Sequence, residues 1–297
     1  MNTRTEDQSN ASAARRVTWA GLAVNAVLFA AKLAAGLMAD SQALVADAVH
    51  SLSDGITDVA VLVGAGFWSR PPDPDHPYGH RRIETIVTII VGAVLGGVGI
   101  GIVYDALITL RNHVGPTSQP GLAALAVALV SVFVKEALFR WTFAVGRRIK
   151  SSALKANAWH HRSDALSSVP AVIAVGIAAL FPSWSLVDHV GAIVVSMFIL
   201  QAAWKISWPA LRELVDAGAP EAVCREIYAI ACSVDGVRDA HNLRTRYVGA
   251  RLQLDLHVLI DGAISVRRGH DIAEAVSRRI VERGPDVVDV VVHVEPA

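Results

Sequence analysis

Two short motifs carry the chemistry of this chain. His50-Ser51-Leu52-Ser53-Asp54 and His160-His161-Arg162-Ser163-Asp164 each set an imidazole four residues before a carboxylate. On an α-helix, positions i and i+4 share a face, so each motif aims both groups at one spot. Two such helices facing each other would offer two nitrogens and two oxygens, a tetrahedral donor set for a divalent cation. Both motifs lie in long apolar stretches, where an ionisable group costs about 2.5–3.5 kcal/mol on insertion scales. Four such groups at one depth point to a metal pathway. Asp47, His50, Asp54 and Asp58 continue the pattern as one polar stripe at i, i+3, i+7 and i+11. A stripe that merely faces a bundle interior is the plain alternative, and the second motif weakens it. Imidazole with carboxylate suits Zn²⁺ and also Fe²⁺, Co²⁺ or Cd²⁺, and fits Mg²⁺ or Ca²⁺ poorly. His161 is rotated about 100° from His160 on a helix and falls outside the four-ligand set. Asp47 is expected to hold the second ring nitrogen of His50 and fix its tautomer. Lys135, Glu136 and Arg140 are expected to form an internal ion-pair network.

The elements that must position these groups are membrane helices. Of 297 residues, 53% are hydrophobic and only 18% charged, and mean hydropathy is +0.43. Six segments reach the length needed to span a bilayer, near Val17–Met38, Ala43–Trp68, Ile83–Leu110, Leu122–Val145, Ala156–Phe181 and Leu186–Trp208. Arg15, Arg16, Arg70, Arg81, Arg82, Arg147, Arg148, Lys150 and Lys155 all fall on one side of that arrangement. The positive-inside rule then puts both termini in the cytoplasm. Glycines of the third span (Gly92, Gly96, Gly97, Gly99, Gly101) suit close helix packing. Residues 1–14 are polar, without a signal-peptide core, and are expected to be a disordered tail. The membrane domain is then 15–208. From 209 to 297 the chain is charged like a soluble module, with an αββαβ order: Pro220–Ser233, Gly236–Tyr247, Arg251–Ile260, Val266–Arg283 and Val287–Val294. So small a domain would gain from dimerisation. The formal net charge is zero, which gives no hint of a nucleic-acid partner. Cys224 and Cys232 form neither a metal motif nor a disulfide framework.

Three separated runs resemble the cation diffusion facilitator family: Ala46 to Asp54, Asp75-His-Pro-Tyr-Gly-His80-Arg-Arg-Ile-Glu84, and Asn157 to Asp164. The resemblance covers nearly the whole chain. It implies a homodimeric, proton-coupled exporter of divalent cations in the bacterial inner membrane. The implied fold is a polytopic domain of six transmembrane helices plus a ferredoxin-like (αββαβ), metallochaperone-like cytoplasmic domain. The family's transport site maps onto His50, Asp54, His160 and Asp164. A histidine at the His50 position is typical of zinc-preferring members and weighs against Mn²⁺. Similar members bind a loop metal at positions matching Asp73, His76 and His80, although these are also ordinary turn residues. They also bind regulatory metal at positions matching His241, His257, His270 and His293. Glu295 stands where such members often have Asp, and strand alternation puts it on the same face as His293. No organic cofactor is implied.

Two readings of other classes compete with export. One is a membrane metal sensor or scaffold that binds without transporting. The other is a membrane-anchored zinc hydrolase using His241 or His293, which no nucleophile, oxyanion-type or phosphate-binding glycine motif supports.

Overall fold

The computed structural model describes residues 3–53, 55, 70–112, 120–149, 152–184, 186–249 and 251–297. The chain divides into two compact units, Met1–Leu62 with Val91–Lys205, and Val63–Ile90 with Ile206–Ala297.

The first unit is helical. Helix α1 runs Thr3–Met38, so residues 3–14 continue the helix instead of forming the expected disordered tail. The reason is local: Ala11, Ala13 and Ala14 are strong helix formers, and no Gly or Pro interrupts before Gly21. The chain reverses at Asp40, which takes a left-handed φ of 50°. Ser41 then caps helix α2 (residues 42–53), its hydroxyl accepting from the Leu44 N–H at 3.2 Å while donating to Asp188 at 2.6 Å. The rest of the expected second span lies outside the described residues. Further helices are α3 (Arg82–Asn112), α4 (Leu122–Arg148), α5 (Ser152–Ser167), α6 (Val169–Leu180) and α7 (Val187–Leu214).

Among the described residues, five helices are long and apolar enough to cross a membrane: Arg16–Met38, α3, α4, α5 with α6 as Asn157–Leu180, and α7. The fifth span breaks between Ser167 and Val169 because Pro170, at the start of α6, has no N–H to donate. Close approach in this unit depends on small residues. A Cβ added to Gly191 on α7 would lie 2.2 Å from the Cβ of Ala174 on α6. In the third span, Gly99 sits against Leu200 of α7, with 3.0 Å for an added Cβ, whereas Gly97 and Gly101 meet no neighbour within 4 Å.

The C-terminal part of the second unit has the expected order: α8 (Glu221–Cys232), β1 (Asp239–Val248), β2 (Arg251–Ile260), α9 (Val266–Arg283) and β3 (Val287–Pro296). The sheet order is β1-β2-β3, with β1 antiparallel and β3 parallel to β2. Alternation in β2 buries Leu252, Leu254, Leu256, Val258 and Ile260 on one face. Ile227 of α8 and Ile272, Val276 and Ile280 of α9 close the core over them. The Tyr228 hydroxyl donates to Asp239 and fastens α8 to the start of β1. That bond pushes the phenol up to about 12 and holds the Asp239 carboxyl below the usual range.

One irregularity decides which residues face outward. The β1–β2 register shifts between His241 and Arg244, and Asn242 takes a left-handed φ of 49° there. Beside the turn, residue numbers of paired positions sum to 499 (Val248 with Arg251); beyond the shift they sum to 498 (His241 with His257). This bulge therefore brings His241 opposite His257, where the unbroken register would have put Asn242.

Candidate metal sites

His50 is buried on α2, and its Nε2 lies 2.8 Å from the Ser167 hydroxyl. Ser167 donates its one proton to the Asp164 carbonyl at 2.9 Å. With that proton so placed, the Ser167 oxygen is the acceptor for a His50 Nε2–H, and in that tautomer Nδ1 carries a lone pair. Nδ1 is buried without a hydrogen-bond partner among the described residues. On α5, Nδ1 of His160 stands 3.6 Å from Oδ1 of the buried Asp164, the one-turn pairing that the spacing predicts, although the His160 side chain is half-exposed. Asp54 and Asp58 lie outside the described residues. His161 faces away, with its ring against Gly21 of α1 and both nitrogens buried and unpartnered among the described residues.

Two expectations are corrected here. Asp47 does not hold His50. Its Oδ2 is 2.7 Å from Lys32 Nζ, with both side chains fully buried, and its Oδ1 accepts from Ser168 at 2.6 Å. The ammonium outcompetes an imidazole for a carboxylate in this dry setting, and Ser167 takes the orienting role. Lys135 does not join Glu136 and Arg140 either. Those two pair with each other at 2.9 Å on the outer side of α4. Lys135 instead turns inward, 3.7 Å from Asp164 Oδ2 and 3.5 Å from Ser51 Oγ.

The 70–80 loop gathers Asp73, His76 and His80, whose ligand atoms lie within 4.8 Å of one another. Asp73 Oδ1 accepts from the His76 backbone N–H at 2.7 Å and the Asp75 N–H at 3.1 Å, while Oδ2 lies 3.3 Å from His80 Nε2. The His76 backbone N–H in particular holds the Asp73 carboxyl below the usual carboxylate range. Gly79, at φ 82°, lets the chain turn back and bring the two imidazoles to 4.3 Å between ring centroids, tilted by 39°. One ionised carboxylate and two imidazoles fit the three-ligand set of an open zinc site.

On the open face of the sheet, His241, His257 and His293 form one row across β1, β2 and β3, in register with one another. Glu295 reaches across it. Its carboxylate accepts from His257 Nδ1 at 2.9 Å and lies 3.1 Å from His241 Nε2 and 3.6 Å from His293 Nε2. The His257 bond holds the Glu295 carboxyl below its usual range. The ligand atoms of His241, His257 and Glu295 lie within 4.8 Å of one another and fit a divalent cation, while His293 stands at the end of the row, outside that group. His270 does not belong to this group: it sits on α9, exposed, 3.4 Å from Glu274.

Comparison with known proteins settles the family. Residues 18–215 match the cation efflux transmembrane domain, and residues 219–297 match the cation efflux protein cytoplasmic domain. The chain belongs to the cation efflux family. As a cation efflux protein it is 32% identical to the manganese efflux system protein MneP of Bacillus subtilis, over 95% of this chain and 96% of that one. It is 35% identical to metal tolerance protein C1 of Arabidopsis thaliana over 93% of its length, spanning 61% of that longer protein. A solved MamM CTD structure is 31% identical, covering 26% of this chain and 93% of that chain, with a TM-score of 0.26.

This cation efflux protein is thus a multi-pass membrane transporter with an α/β C-terminal domain, not an enzyme. Sequence reasoning missed Ser167 and Lys32. For Ser167 no spacing rule applied, since its partner is 117 residues away. Lys32 did carry a signal, a lone ammonium in the middle of an apolar span.

Proposed function

We propose that the chain is a homodimeric exporter of divalent metal cations, Zn²⁺ foremost, from the bacterial cytoplasm in exchange for protons. His50, Asp54, His160 and Asp164 would carry the cargo across the inner membrane by alternating access, with both termini cytoplasmic. The observation that carries this reading is the His50–Ser167–Asp164 chain. With Ser167 as acceptor, the imidazole carries its proton on Nε2 and presents a buried Nδ1 lone pair, the arrangement of metal-ligating histidines whose other nitrogen is hydrogen-bonded. Metal binding needs neutral imidazole and ionised carboxylate, so protons compete with the cargo on the same atoms. The loop group Asp73, His76 and His80 would deliver metal. The row of His241, His257 and His293 with Glu295 would bias the dimer toward transport when metal binds.

Manganese export is the second reading, favoured by the near full-length similarity to a manganese efflux protein. The test is transport into proteoliposomes with Zn²⁺, Fe²⁺, Mn²⁺ and Cd²⁺ in competition, at several imposed pH gradients. Zinc should be preferred, with flux rising with the gradient. Flux that ignores the gradient sinks proton coupling, and a preference for Mn²⁺ over Zn²⁺ replaces the first reading with the second.

A further inference from the structure

We propose that Lys135 is a tethered cation that competes with the transported metal for Asp164; this rests on the reading of Asp164 as a transport ligand. Lys135 projects from α4 and is 1% exposed, with its Nζ 3.7 Å from Asp164 Oδ2. Glu136, the acidic residue next to it, faces the other way and pairs with Arg140 and Arg162, at 2.9 and 3.8 Å. Asp47 is held by Lys32 at 2.7 Å. Among the described residues, Asp164 is therefore the carboxylate that balances the Lys135 charge.

A carboxylate oxygen binds Zn²⁺ at about 2.0–2.2 Å. A divalent ion at that distance from Asp164 would face the Lys135 ammonium across a few ångströms of poorly screened interior, where repulsion is strong. Asp164 turns Oδ1 toward His160 and Oδ2 toward Lys135, so a metal on Oδ1 still lies a few ångströms from the ammonium, and each cation weakens the other's hold on the carboxylate. Lys135 has a flexible four-carbon stem, and the Ser51 hydroxyl at 3.5 Å offers a second acceptor when it swings aside. Two consequences follow. Metal binds less tightly than its ligand set alone would allow, as a transporter needs if cargo is to leave. Asp164 is also charge-compensated with either partner, so the return step does not bury a bare carboxylate.

Competition and structural support move the transport constants in opposite directions. Lys135→Met keeps the stem and removes the charge. In proteoliposomes of the full chain with Zn²⁺, we expect KM to fall at least tenfold, about 1.4 kcal/mol, and kcat to fall with it because cargo leaves and the carrier returns more slowly. Lys135→Arg, which keeps the charge, should hold KM closer to the wild-type value than Lys135→Met does. An unchanged or raised KM in Lys135→Met overturns the proposal. Asp164→Ala reports separately on the underlying reading: if it transports as wild type, the quartet is not the transport site, whatever Lys135 does. If Lys135→Met does not fold, the wild-type chain decides by electron cryomicroscopy with and without saturating Zn²⁺. The Lys135–Asp164 separation should open beyond the ion-pair limit of about 4 Å when metal is bound. A separation that stays the same overturns the proposal.

Discussion

The Lys32–Asp47 pair gives a sharp test of how the buried polar layer is held. Both side chains are fully buried, the charges are 2.7 Å apart, and Lys32 also donates to Ser51 at 3.1 Å and Ser168 at 3.3 Å. At an effective dielectric of about 20, two unit charges at that distance attract by about 6 kcal/mol. Desolvation offsets much of this, but removing one partner leaves the other charge buried and uncompensated, at a cost of about 3–5 kcal/mol. Lys32→Met and Asp47→Asn should each destabilise the full chain by that amount. The double variant should fall well short of their sum, with a coupling of about 2 kcal/mol or more. The assay is SDS-induced unfolding of the full chain in micelles, run as a double-mutant cycle. Additive effects, or single variants that lose under about 1 kcal/mol, would refute the pair and the displacement of Asp47 from His50 that depends on it.

Three further outcomes follow from other parts of the molecule. Asn242→Val should lower the stability of the C-terminal domain by about 1–2 kcal/mol, the cost of a left-handed conformation for an ordinary L-residue, while Asn242→Gly stays near wild type; thermal unfolding of the full chain reads both. Gly191→Ala should destabilise the membrane helices by about 1–3 kcal/mol through overpacking, seen as a lower SDS midpoint, because its Cβ would fall 2.2 Å from that of Ala174. The Tyr228–Asp239 bond favours protonated phenol and ionised carboxyl. Its contribution should be full between the ordinary carboxylate and phenol ranges, about pH 4 to 10. It is lost as pH falls through the lowered Asp239 value or rises toward about 12. Ultraviolet titration should show one late tyrosine that moves down toward about 10 in Asp239→Asn.

Helix periodicity and apolar length were enough to read five of the spans, the His160–Asp164 pair and the αββαβ order from the chain. Those features are local: an i,i+4 pair needs only a helix to meet. What escaped depends on contacts between distant elements. Ser167 orients His50 from another helix, and Lys32 claims Asp47 across 15 residues and a chain reversal at Asp40. The His241–His257–His293 row needed a register that alternation alone cannot give, because one bulged residue decides which side of β1 joins it. His270 looked equivalent on spacing, yet its helix carries it to Glu274. The fifth span reads as unbroken in the sequence, and Pro170 interrupts it at Ser168, while the reach of α1 back to Thr3 follows from helix propensities outweighing polarity.

The central claim, that the His–Asp pairs carry metal in exchange for protons, is tested most directly by Zn²⁺ flux into proteoliposomes under an imposed pH gradient, comparing wild type with Asp54→Ala and Asp164→Ala. Gradient-driven flux in wild type, abolished in both variants while they remain folded, is the predicted result. Wild-type flux in both variants would contradict the account.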